Sequence, residues 1–176
     1  MWEGLYKMII VIAETDQGAL LPATLECLEE ARELATARQM PVRVLLPGTG
    51  VADLAEELAQ HGADAITLVE HTALAQFSAD GWLAALDPLL RDHAPALILA
   101  PDTGHIRAWL PRLAADWQVP LITGCLQIAA GAEDQIELTR PIHGGACHEQ
   151  QVWPLRGTLI ATLLPGGRGV APPRPR

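Results

Sequence analysis

Met8-Ile9-Ile10-Val11-Ile12-Ala13, followed by Glu14-Thr15-Asp16-Gln17-Gly18 and then by residues 22–36, reads as one strand, one loop and one helix. The unbroken apolar run, rich in β-branched residues, suits a strand covered on both faces, as at the centre of a parallel sheet. Turn chemistry from Glu14 to Gly18 ends it, and Pro22 stands where a helix should begin, because its fixed φ suits the first helical turn. Leu21, Leu25, Leu28, Ala31 and Ala35 recur at helical spacing, with Glu26, Glu29, Glu30 and Glu33 interleaved. The pattern predicts one face on the sheet and a solvated glutamate face opposite.

The same unit recurs along the chain. Residues 42–46 form a second strand, Pro47-Gly48-Thr49-Gly50 a turn, and residues 51–61 a helix stopped by Gly62. Residues 65–69 make a third strand, and Ser78 caps a helix that runs to about His93 with a kink at Pro88. Residues 96–100 make a fourth strand, and Pro101-Asp102-Thr103-Gly104 leads into a helix that carries Pro111 near its start and ends near Trp117. Such alternation with short loops calls for right-handed crossovers and helices on both faces of a parallel sheet. After a fifth strand at 120–123 the helical periodicity stops. Residues 135–140, 147–153 and 158–164, separated by Gly-containing turns, read as antiparallel strands added to one edge. The expected fold is therefore α/β, a three-layer doubly wound parallel sheet with added antiparallel edge strands. Residues 1–165 are expected to form a single domain and 166–176, built of Gly, Pro and Arg, a flexible tail.

Composition narrows the function classes. The chain has 176 residues, 49% of them hydrophobic, enough for one ordinary core built mainly of Leu, Ile, Val and Ala, since aromatics are only 4%. A formal charge of −9 and a single lysine, Lys7, argue against nucleic acid, whose phosphates require clustered cations. Cys27, Cys125 and Cys147 are odd in number and far apart, which fits neither a disulfide framework nor a zinc knuckle. With no signal-like N-terminus and no apolar run long enough to span a bilayer, the chain is expected to be cytoplasmic, without membrane insertion.

Two loops could carry a ligand, Glu14 to Gly18 and Asp102 to Arg107, because both follow strands of a parallel sheet. Thr103, Gly104 and Arg107 form the candidate anion or nucleotide loop, at a helix start where free amides favour negative charge; the alternative is that Asp102 or Thr103 simply caps the helix. Gly48-Thr49-Gly50 lacks the remainder of either phosphate-loop pattern. His143, Cys147 and His148 lie close in sequence, but neighbours on a strand face opposite ways, so no metal site is expected. Neither GxSxG nor HExxH occurs, and no catalytic residue is assigned. Trp109 and Trp117 read as packing or interface residues.

Ile10-Val11-Ile12-Ala13-Glu14 with Gly18-Ala19-Leu20-Leu21-Pro22-Ala23-Thr24-Leu25-Glu26, then His61-Gly62-Ala63-Asp64, Leu68-Val69-Glu70, Pro111-Arg112-Leu113-Ala114-Ala115 and Arg140-Pro141-Ile142-His143-Gly144-Gly145, come in the order found in one family. Together they resemble the N-terminal domain of the electron transfer flavoprotein alpha subunit, from about Met8 to Gly166. That resemblance implies an adenine-nucleotide alpha-hydrolase-like sheet and an electron-transfer component rather than an enzyme. It also implies a beta-type subunit as partner and FAD held by a C-terminal domain outside this chain. No cofactor is expected in the isolated chain. Arg140, Pro141, His143, Gly144 and Gly145 are the candidate interface. The chain departs from the family's Thr-x-x-Gly-Arg-Asp loop at Ile106 and Ala108, has Gly124 where aspartate is usual, and Ala146 where asparagine is usual. The alternatives are a freestanding, stress-protein-like domain that binds AMP or ATP, or a scaffold that forms a homo-oligomer.

Overall fold

The structure, a computed structural model, describes residues 8–167, 169–170 and 172. Strand β1 (Ile9–Ile12) leads through a small ribbon, β2 (Thr15–Asp16) and β3 (Ala19–Leu20), into α1 (Pro22–Arg38), which starts at Pro22 as the sequence predicts. Then follow β4 (Val42–Gly48), α2 (Ala55–Gln60), β5 (Ala65–Glu70), α3 (Ala79–His93), β6 (Leu97–Pro101), α4 (Gly104–Trp117) and β7 (Leu121–Cys125). The last third holds β8 (Gln127–Ala130), β9 (Gln135–Ile142), β10 (Cys147–Pro154) and β11 (Leu159–Leu163). Pro111 lies in the middle of α4, on its exposed side, rather than near its start.

The central sheet has six strands in the order β5-β4-β1-β6-β11-β7, every neighbouring pair parallel. Strand alternation divides the core into two layers. Ile9, Val11, Val44, Leu97 and Leu159 face α1 and α2, whereas Ile10, Ile12, Leu45, Ile98 and Ile160 face α3 and α4. Trp109 is fully buried in the second layer, so it packs the core.

The expected antiparallel strands are present, but two of their details differ. β8, β9 and β10 form a separate three-stranded sheet and do not extend the edge of the main one. β11 is parallel and lies inside the main sheet between β6 and β7, because all five of its residues are buried and an edge position would leave one side wet.

The separate sheet corrects the reading of α1 as well. β8 packs on α1, and Ile128, Ile136 and Leu138 share its core layer. The helix is therefore covered on a second side, and Glu26 and Glu30 are buried where a solvated face was expected. Each carboxylate accepts a backbone N–H: Glu26 from Gly166, and Glu30 from Ile128. A buried carboxylate is tolerable when hydrogen-bonded in this way. Gly166 is thus tied to the domain, while positions 168, 171 and 173–176 of the expected tail, and residues 1–7, lie outside the described residues.

Candidate functional site

From β1 the chain moves outward to β4 and β5, then returns to β6 on the other flank of β1. The strand order therefore reverses between β1 and β6, and in an open parallel sheet this is where a crevice opens beyond the carboxyl ends of the strands. Glu14 follows β1 there, and Asp102 and Thr103 follow β6.

Glu14 is 1% exposed and held by its backbone as well as its side chain. Its N–H donates to Thr24 Oγ1 at 2.9 Å, and that hydroxyl donates back to the Glu14 carbonyl at 3.1 Å, tying the strand end to α1. Of its carboxylate oxygens, Oε2 accepts from the Thr103 hydroxyl and Oε1 lies 3.1 Å from His105 Nδ1. Burial pushes the Glu14 carboxyl above its ordinary value, against the smaller opposing pull of Thr103 and His105. His105 is half exposed yet fixed, since its ring stacks on Phe77 with centroids 4.0 Å apart and planes at 16°.

On the other side of the α4 start, the guanidinium of Arg107 donates through Nε to Asp102 Oδ1 at 2.6 Å, with Asp102 buried and Arg107 exposed. The hydrogen bond and charge of Asp102 raise Arg107 above its usual value. Gly124, at the end of β7, adopts φ +69°, and a Cβ there would stand 3.3 Å from Asp102 Oδ2. Glycine enters this backbone region most readily, having no Cβ to clash with the following carbonyl.

Thr103, Gly104 and Arg107, singled out by sequence, do meet at the start of α4, but the side chains of Thr103 and Arg107 are engaged. Thr103 caps the helix by accepting from the Ile106 N–H at 3.2 Å while its own proton goes to Glu14, and Arg107 turns to Asp102. Sequence reasoning did not assign His105, or the pairing of Glu14 with residues 89 and 91 positions away. The one signal available was that two loops follow strands of the same parallel sheet.

The candidate interface residues lie on the β9–β10 hairpin. Arg140 Nε is 3.6 Å from Glu149 Oε2 across the strand pair, and His143, Gly144 and Gly145 form the exposed tip, all with positive φ. Cys147 and His148 are adjacent on β10, and among the described residues no group of three metal-ligating side chains gathers. No helix among them is long and apolar enough to cross a membrane.

The fold and crevice define a doubly wound α/β domain with its loops converging at a strand-order reversal. The model of the electron transfer flavoprotein domain matches residues 9–175, and the chain belongs to that family. It is 29% identical over 161 residues to the electron transfer flavoprotein subunit alpha of Thermoanaerobacterium thermosaccharolyticum, covering 92% of this chain and 49% of that protein. It is 29% identical over 143 residues to the lactate dehydrogenase (NAD(+),ferredoxin) subunit LctC of Acetobacterium woodii, covering 81% of this chain and 34% of that one. With the acryloyl-CoA reductase electron transfer subunit beta of Anaerotignum propionicum it shares 25% identity, over 92% of this chain and 50% of the other. The alpha-subunit resemblance read from the sequence motifs is thus borne out, and the chain spans about half the length of the curated relatives it matches.

Proposed function

We propose that this chain is the alpha-type N-terminal domain of an electron-transferring flavoprotein assembly. It docks a beta-type subunit and frames a flavin site, while the FAD itself is held by polypeptide outside these residues. The redox chemistry then belongs to the flavin, and the chain contributes position and shape rather than catalysis.

The observation that carries this reading beyond family membership is the state of the crevice. A diphosphate at the start of α4 would meet Glu14 and Asp102, two buried carboxylates, with Thr103 and Arg107 already engaged. The residues present do not suit the phosphates of a dinucleotide or of AMP or ATP, which supports a framing role over a nucleotide-binding one. The β9–β10 hairpin from Arg140 to its exposed tip at Gly145 is the surface we assign to the beta-type partner.

The experiment is gentle affinity recovery of the tagged chain from its own cells, with native mass spectrometry and a flavin absorption spectrum. A yellow complex containing a second subunit is expected. A colourless homo-oligomer refutes the assignment, and micromolar binding of AMP or ATP to the purified chain would favour a freestanding nucleotide-binding domain instead.

A further inference from the structure

After β11 the chain does not simply leave the domain. Leu164 donates its N–H to the Cys125 carbonyl at 2.7 Å, and a Cβ added at Gly167 would stand 3.7 Å from Leu126 Cδ2. Between them, the Gly166 N–H lies 2.9 and 3.1 Å from the two carboxylate oxygens of Glu26, which is 5% exposed on α1. Gly166 adopts φ +80°, a conformation that bends the chain back toward that carboxylate. One turn further along α1, Glu30 accepts from the Ile128 N–H and holds β8 in the same manner. A carboxylate aimed at one backbone amide makes a charge-assisted bond stronger than a neutral one.

We propose that Glu26 is a latch that fixes where, and in which direction, the polypeptide leaves the domain. The latched segment adjoins the crevice, since a Cβ added at Gly124 would stand 4.0 Å from Leu164 Cδ2 and 3.3 Å from Asp102 Oδ2. The latch therefore holds Gly166 beyond the carboxyl end of β11, near the strand-order reversal. That it delivers a flavin-holding segment there rests on the function proposed above; the latch itself does not. Glu26 is a positioning residue. Its burial gives it no contact with a ligand, and its effect passes through the backbone of Gly166.

The test is amide hydrogen exchange by NMR on the full chain and on Glu26→Leu and Glu26→Gln, with Ile160, bonded to the Pro120 carbonyl in the central sheet, as the folding reference. In the wild type Gly166 should exchange roughly 100-fold slower than an unstructured glycine. Glu26→Leu, which fills the space without an acceptor, should speed it at least about tenfold with Ile160 unchanged, and Glu26→Gln should fall between the two. The proposal is overturned by an unprotected Gly166 in the wild type or by wild-type exchange in Glu26→Leu. It is equally overturned if Gly166 and Ile160 accelerate by one common factor in both variants. None of these outcomes bears on flavoprotein membership, which the recovery experiment tests separately.

Discussion

Introducing aspartate at position 124 should be strongly destabilising in this chain unless Asp102 is removed. The backbone of Gly124 sits at φ +69°, so an ordinary side chain costs about 1–2 kcal/mol there and an aspartate somewhat less. Gly124→Ala should cost roughly that amount, with a little more for the 3.3 Å approach of its Cβ to Asp102 Oδ2. Gly124→Asp adds a second carboxylate within a few ångströms of one that is only 7% exposed. At about 4 Å and an effective dielectric near 20, two like charges repel by roughly 4 kcal/mol, of which rotation of the new side chain away from Asp102 would relieve about half. The single variant should therefore lose about 3–5 kcal/mol in urea unfolding, a large part of a typical domain's total. In Asp102→Ala/Gly124→Asp the repulsion disappears and the new carboxylate can approach the Arg107 guanidinium that Asp102 held. The double-mutant cycle should show a favourable coupling of at least about 1.5 kcal/mol. If the two substitutions add within about 0.5 kcal/mol, the carboxylates do not share one space and the geometry of the crevice is misread.

Glu14 gives a prediction of definite sign: its raised carboxyl means that the folded chain holds this proton more tightly than the unfolded one. The stability from that group is full below the ordinary value of 4.5 and is lost as pH rises through the raised one, so the wild type should decline relative to Glu14→Gln across that window. Urea midpoints measured stepwise from acid to neutral pH check it, and a wild type that gains on the variant refutes it. Thr24→Val keeps the shape but strands the buried N–H of Glu14, whose carbonyl still accepts from Leu21, and should cost about 1–3 kcal/mol in the same assay. Of the three cysteines, Cys27 is fully buried with its thiol pushed well up, and Cys125 is buried with its thiol pushed up to about 12. Only the exposed Cys147 should react with a disulfide reagent in the native chain at mild alkaline pH, with all three reacting after denaturation.

The local periodicities in the sequence determined the strands, the helices, the parallel sheet and the start of α1 at Pro22. These signals arise from neighbours a few residues apart, which share a face in any helix or strand. The order of motifs along the chain also sufficed to identify the family. Local pattern could not say what covers the second side of a helix. Glu26 and Glu30 look like solvent residues until chain a hundred positions later lies across α1, where Ile128 of β8 gives Glu30 a backbone amide and Gly166, beyond β11, gives one to Glu26. The same limit hid the crevice. Thr103 and His105 announce a helix cap and an exposed imidazole, and only the reversal of strand order between β1 and β6 brings Glu14 between them. Strand β11 shows the limit most plainly: its apolar run fixes that it is a buried strand, but its place between β6 and β7 depends on which neighbours are left to pair with it, and that is settled only when the whole sheet assembles.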